Sequence, residues 1–490
     1  MSKQNIITNT EKLTILQELK SKRFDNIPDR IEFIKALLSN NDINSMIDFD
    51  LCDTEHVENR TNGCDVRSIM KKKTMDFNKL ICELGGKLEY IKSGTTGHTF
   101  KGVIYDSDNI TELLNYALKV VAYPIRENYG DIYDVKRPEN AELMMLRVLS
   151  YFVVNGQTPH IVLPIGTVNT SIKPFIMIAK NKIVENKKYD QFVKRYKQNE
   201  YHDEVSLLIS EWANGGDLLD YLRNNYKTMK LRDWRTVFFQ LISVLAVIQN
   251  KYPGFRHNDF KINNILVQKI DDRKKNNYFL YNIKLGEKRH NFVVPNIKIQ
   301  LKIWDFDFAC IPGIVDNSKV NSDWTDKINV KPVQNKYYDV HYFFNTMTKK
   351  GFFPEFWTSK EIHHSVKQFV RDIIPEQYSH AYNDDDKKKT KQKNDDKPVK
   401  PLVTDRGRIL HNIEYTTPEK ILTEHEFFDK MRVKNTSTDN KSNTSTKDIK
   451  DIKDTVDDKK YTHVENIPVA KAMLEKDDII MSTSSSIDIS

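Results

Sequence analysis

His257-Asn258-Asp259-Phe260-Lys261-Ile262-Asn263-Asn264, followed by the apolar run Ile265-Leu266-Val267, is the stretch on which the reading of this 490-residue chain turns. It sets an acid, a lysine and an asparagine in one loop, and Leu301-Lys302-Ile303-Trp304-Asp305-Phe306-Asp307 brings a second acid from a later strand. Transfer of a phosphoryl group is mostly positioning and electrostatic clamping, and such a set supplies both. Asp259 can accept the proton of an attacking hydroxyl, a role worth about 10²–10⁴ in rate. The Lys261 ammonium can offset charge building on phosphoryl oxygens. Asn264 and Asp305 offer the hard oxygen ligands that Mg²⁺ prefers when it bridges phosphates.

Upstream, the groups that would hold a nucleotide appear in order. Leu88-Glu89-Tyr90-Ile91 is strand-like and leads into Ser93-Gly94-Thr95-Thr96-Gly97-His98. There Gly94 and Gly97 could bring backbone N–H groups close to phosphate oxygens, although a plain hairpin turn has the same composition. Tyr116-Ala117-Leu118-Lys119-Val120-Val121 is an apolar strand with a single lysine. Burying it is costly unless phosphates and a helix carboxylate pair it. Glu142 is the candidate carboxylate, with Leu143, Leu146 and Leu149 at helical spacing behind it. Glu139, in the first turn after Pro138, reads more simply as an acid that favours the helix dipole. A strand from Val205 to Ala213 follows, in which backbone groups of Glu211 to Ala213 would meet an adenine edge, and then Asp217 would accept from a ribose hydroxyl. Trp234, Val237, Phe238, Leu241, Leu245 and Ile248 share one helical face, a core helix that feeds the catalytic loop.

Taken in order, Gly97, Lys119, Glu142, Asp259, Lys261, Asn264 and Asp305 resemble the motif set of eukaryotic-type serine/threonine protein kinases across residues 80–432. The D-F-D at 305–307 and Tyr337-Tyr338-Asp339-Val340-His341-Tyr342 are similar to the poxvirus kinases of virion morphogenesis and their giant-virus relatives. The resemblance implies an α+β, bilobal fold with a small β-rich N-lobe and a larger helical C-lobe. It implies transfer of the γ-phosphate of ATP, with Mg²⁺ or Mn²⁺, to protein hydroxyls. Substrates would include viral structural or membrane proteins, met in the host cytoplasm (the viral factory) or in the virion. Asp339 would hold the catalytic-loop backbone from below, and residues 417–428 would form the closing helix. Two rivals share part of the pattern. A choline- or aminoglycoside-type phosphotransferase has H-x-D-x-x-x-x-N but as a class lacks the lysine, and a silent kinase scaffold would fit the thin glycine turn.

Departures from the family pattern carry expectations of their own. Asn258 stands where the family has arginine, and no A-P-E follows Asp305. The intervening loop holds Ser318, Ser322 and Thr325 without a basic docking site, so activity should not depend on phosphorylation there. Asp307, in place of glycine, would either restrain the swing of Phe306 or act as a third metal ligand.

Composition sets the outer bounds. Hydrophobic residues make up 39% and net charge is +8 with the signs mixed, which suits a chain with a core, no transmembrane segment and no nucleic-acid partner. No leader pattern is visible. Cysteines 52, 64, 82 and 310 have no finger spacing, with or without His56, and read as free thiols in a reducing compartment. Residues 1–79 read as a helical accessory region with patterns near 10–22 and 28–39. Residues 181–204 and 271–296 read as insertions, the second a hairpin with Gly286 at its tip. The Lys/Asp-rich loop 383–400 and the tail 433–490 have too little apolar surface to order themselves.

Overall fold

Period-two burial along one strand shows how the sheet is built. Leu114, Tyr116, Leu118, Val120 and Ala122 of β4 (Glu112–Pro124) are buried, while Ala117, Lys119 and Val121 point to the other face. Around β4 the computed structural model assembles β1 (Lys73–Thr74), β2 (Lys87–Ser93), β3 (Gly97–Tyr105), β5 (Pro164–Ser171) and β6 (Tyr201–Glu211) in the spatial order β1-β5-β6-β4-β3-β2. All neighbours are antiparallel except β1 with β5. The residues described are 26–49, 65–94, 96–106, 111–178, 187–270, 278–380 and 402–433, with positions 14, 16–18 and 481–483.

Helices cover this sheet and continue beyond it. Helix α1 (Ile27–Leu38) is capped by Asn26, whose Oδ1 accepts from Asp29 N at 2.7 Å. Helix α2 (Pro138–Val154) starts on a proline, which suits a first helical position, and is buried nearly throughout. Helix α3 (Leu231–Lys251) buries Trp234, Val237, Phe238, Leu241, Leu245 and Ile248 on the face expected from the sequence. The catalytic loop lies after it, followed by β7 (Ile265–Lys269), which pairs antiparallel with β10 (Ile299–Ile303). Between them β8 (Tyr278–Leu285) and β9 (Lys288–Pro295) form the expected hairpin, with Gly286 in its turn. Helix α4 (Tyr338–Met347) and helix α5 (Pro418–Glu424) complete the helical part, the latter capped by Thr417. The fold is mixed α+β. Among the described residues no helix is long and apolar enough to cross a membrane.

Some boundaries move. The strand expected from Val205 begins at Tyr201, and the insertion before it contains a helix at Lys187–Lys197. Tyr189 and Phe192 of that helix pack on the buried His98 ring at 5.5 and 4.4 Å, so an apolar pair one turn apart orders an otherwise Lys-rich segment. The closing helix stops at Glu424 and gives way to a 3-10 turn at Glu426–Phe428. The helix expected over 28–39 is α1. The pattern at 10–22 lies largely outside the described residues, as do the loop 383–400, Cys52, His56 and Cys64. Of the tail beyond Val433 only Met481–Thr483 is described, its backbone paired with Tyr281, Leu280 and Phe279 of β8. Cys82 and Cys310 are free thiols, one exposed and one buried.

Candidate active site

The strand lysine and the helix acid meet. Lys119 Nζ lies 2.6 Å from Glu142 Oε1 and 3.1 Å from Asp305 Oδ1. Burial alone would push this ammonium down, but Glu142 and then Asp305 outweigh it and hold it above its usual range. Burial opposes ionisation of Asp305 as well, and Lys119 overcomes it, holding the carboxyl down at about 2. Glu139 stands apart, 3.0 Å from Arg137 and pushed up to about 7 by burial. Asp305 has φ +66°, a left-handed conformation that few non-glycine residues adopt and that tends to persist where function requires it.

Helix α4 carries the catalytic loop. The Asp339 carboxylate accepts from His257 N at 2.7 Å and Asn258 N at 2.9 Å, the support from below that the sequence suggested. His257 Nε2 lies 3.0 Å from Trp304 O, which ties the loop to the strand end bearing Asp305. Asp259 is gripped from both sides. Its Oδ2 accepts from Lys261 Nζ at 2.7 Å and Asn264 Nδ2 at 3.1 Å, and its Oδ1 from Arg408 Nη2 at 2.6 Å. Burial would raise this carboxyl, but Lys261 and Arg408 hold it below the ordinary aspartate value. Because Asn264 spends its amide N–H groups on Asp259, its Oδ1 has no partner among the described residues, and neither has Asp305 Oδ2. Two hard oxygens are thereby left for a divalent cation.

Other expected residues have different occupations. Gly94 N–H donates to Gly97 O at 2.7 Å inside the turn, so it is not free for phosphate. A Cβ at Gly97 would lie 1.7 Å from Val120 O, so close strand packing alone requires glycine there. Glu211 was expected to offer backbone groups to adenine, yet its N–H donates to Leu163 O at 3.1 Å. Its side chain holds Arg30 at 2.6 and 2.8 Å and Lys302 at 3.4 Å in a buried cluster. Arg30 and Lys302 hold this carboxyl down at about 2 against the opposing effect of burial. The Trp212 and Ala213 N–H groups have no hydrogen-bond partners among the described residues. Asp217 caps the helix Leu218–Asn225, accepting from Asp220 N at 3.0 Å, so one of its oxygens is already committed. Asp307 pairs with Lys319 Nζ, and its carbonyl accepts from Asn317 Nδ2 at 3.0 Å.

Arg408, Arg30 and Lys302 were not singled out from the sequence. Arg408 and Arg30 lie 149 and 181 residues from their partners, beyond any local pattern. Lys302 did carry a signal, since it is a lysine in an apolar strand like Lys119.

A half-buried lysine shared by two acids, an acid-lysine-asparagine loop and two free oxygen donors on a mixed α+β frame define a phosphotransferase of the protein kinase class. Residues 177–398 match the family model described as poxvirus serine/threonine protein kinase. The chain is 45% identical over 408 residues to a candidate serine/threonine-protein kinase of Acanthamoeba polyphaga mimivirus, covering 82% of this chain and 80% of that one. A second candidate kinase of the same virus is 26% identical over 314 residues, covering 54% of this chain and 75% of its own length. The chain belongs to the poxvirus-type serine/threonine-protein kinase family and is a protein kinase. Kinases of this kind use ATP and a divalent metal ion.

Proposed function

We propose that this kinase phosphorylates serine or threonine hydroxyls of viral structural or membrane proteins during virion assembly in the host cytoplasm, using ATP with Mg²⁺ or Mn²⁺. The reading takes residues 80–432 as a bilobal kinase domain, with strands β2 to β6 and α2 as N-lobe and α3 to α5 in the C-lobe. Residues 1–79 are then an accessory region and 433–490 a tail. The viral origin of the two relatives supports the assembly role. The observation that carries the catalytic part is the meeting of Lys119, Glu142 and Asp305 at 2.6 and 3.1 Å beside a loop where Asp259, Lys261 and Asn264 are bonded together.

Each residue then has a defined task. Lys119, fixed by Glu142, holds the triphosphate. Asn264 Oδ1 and Asp305 hold the metal, and the Ala213 backbone meets adenine. Asp217 retains one oxygen for a ribose hydroxyl, and Gly94 and Gly97 shape the turn above the phosphates. When bound, MgATP supplies the electrophilic γ-phosphorus and part of the charge neutralisation. Asp259 accepts a hydrogen bond from the substrate hydroxyl and takes its proton as the new O–P bond forms and the bond from the γ-phosphorus to the β,γ-bridging oxygen breaks, with ADP leaving. Lys261, 2.7 Å from Asp259, stands ready to offset charge that grows on the transferred group.

The test is Asp259→Asn with labelled ATP and protein acceptors. Transfer should fall by about 10²–10⁴ while nucleotide affinity stays near wild type. Near-normal transfer by the variant would remove Asp259 from its role. Labelling of choline in place of protein by the wild type would overturn the substrate class.

A further inference from the structure

We infer that Arg408 is the positioning residue of the catalytic carboxylate, a guanidinium delivered from a remote segment to the loop that lacks an arginine of its own at 258. The inference rests on the reading of Asp259 as proton acceptor. Arg408 is buried, and among the described residues its guanidinium makes these contacts. Nη2 donates to Asp259 Oδ1 at 2.6 Å and to Asn258 O at 2.9 Å, Nη1 donates to Tyr342 OH at 2.8 Å, and the guanidinium lies 4.1 Å from the Tyr342 ring centre. A buried guanidinium is costly without an anion, and Asp259 is the carboxylate it bonds.

The segment that carries it is built to hold it. Leu410 N donates to Leu402 O at 2.9 Å, Thr404 N to Arg408 O at 2.7 Å, and Arg408 N to Thr404 Oγ1 at 2.9 Å, closing a tight loop. Gly407 turns this loop at φ +87°, where a side chain would be strained. Asn345 Nδ2 of α4 donates to Gly407 O at 2.9 Å, and Asn329 Nδ2 to Ile409 O at 2.8 Å. Helix α4 therefore fixes the catalytic loop twice. Asp339 holds its backbone, while Tyr342 and Asn345 fix Arg408 against its carboxylate.

Position 258 shows why the charge comes from elsewhere. Asn258 has φ +61°, a conformation asparagine tolerates better than most side chains, and its Nδ2 donates to Phe308 O at 3.0 Å. Its side chain serves the backbone, and the guanidinium is supplied from 408. With Oδ1 on Arg408 and Oδ2 on Lys261 and Asn264, the carboxylate plane of Asp259 cannot turn. Tyr342 OH also donates to Oδ1, at 3.5 Å, so four donors meet the roughly four lone-pair sites of the carboxylate, and this long bond is the one a substrate hydroxyl would displace.

The experiment uses the full chain. Arg408→Ala should lower kcat by about 10²-fold, the scale of a misplaced catalytic group, with KM for ATP within about twofold of wild type. Methylguanidinium added to the assay should restore part of that loss in Arg408→Ala and nothing in Asp259→Asn, a rescue that a purely structural role would not give. Tyr342→Phe, which keeps the ring and removes the bond from Arg408 together with the longer 3.5 Å bond to Asp259 Oδ1, should fold and lower kcat a few-fold even if Arg408→Ala does not fold. Unchanged kcat in both variants would overturn the inference, and so would raised kcat, the mark of an arginine that blocks the site. An active Asp259→Asn protein would instead overturn the reading beneath it.

Discussion

Asp259 in the catalytic loop and Glu211 at the end of β6 have the same escort, one arginine and one lysine. Asp259 meets Arg408 at 2.6 Å and Lys261 at 2.7 Å, and Glu211 meets Arg30 at 2.6 Å and Lys302 at 3.4 Å. The difference lies in closure. Around Glu211 the side chains of Arg30 and Lys302 are 0% and 2% exposed, and Leu163 N donates to it as well at 2.8 Å. Around Asp259 the Lys261 side chain keeps 25% of its surface open. A sealed cluster can only hold elements together, here α1 against the end of β6 and β10. The same cluster with one open edge can exchange a partner, which proton transfer requires.

Breaking the sealed cluster should have the largest effect. Glu211→Gln leaves Arg30 and Lys302 buried without their anion, and such a loss costs about 3–5 kcal/mol. Urea unfolding at pH 7 measures it. The sign with pH follows from a carboxyl held at about 2 in the folded chain against an ordinary 4.5. Its contribution is full above the ordinary value and is lost as pH falls toward the folded one. Glu211→Gln should therefore flatten that acid limb. A variant as stable as wild type would show that the cluster is dispensable.

Lys119 inverts the arrangement, one cation between two acids. Removing one partner of a desolvated charge pair costs about 2–5 kcal/mol. Lys119→Ala should weaken MgATP binding and transfer together, and calorimetric titration that found wild-type affinity would detach this lysine from the nucleotide.

Lys72 sharpens the contrast by having, among the described residues, no carboxylate in hydrogen-bond reach. Its Nζ donates to Tyr123 OH and Ser206 Oγ, both at 2.8 Å, and burial pushes it down to about 7 from 10.5. Between these values the unfolded chain binds the extra proton, so stability should rise with pH, by about 2 kcal/mol from pH 7 to 9. In Lys72→Met this rise should disappear. Parallel slopes in the two proteins, from denaturant titrations across that range, would mean that Lys72 is charged in the folded state.

Much of the site was readable from sequence because its parts are close in the chain or carry their own constraint. Asp259, Lys261 and Asn264 share one loop, so their spacing places them together. Lys119 sits in an apolar strand, where an unpaired ammonium is expensive, and that cost calls for Glu142. Asn258 was visible as a departure, but what takes the place of the missing arginine was not. The residues around Arg408, Asp405-Arg406-Gly407, have neither periodicity nor a motif. Glu211 and Asp217 were read for nucleotide contacts alone, and nothing in the sequence told that the Glu211 side chain is bound into an ion cluster or that Asp217 caps a helix.

The sequence by itself determined the chemistry, since residue types at fixed spacing along a strand, a helix and a loop decide which charges a site can hold. Only the tertiary structure decided how those charges are held. Arg408 reaches Asp259, and Arg30 reaches Glu211, by the docking of segments far apart in the chain, and such pairings arise from packing of whole elements, which no local spacing encodes.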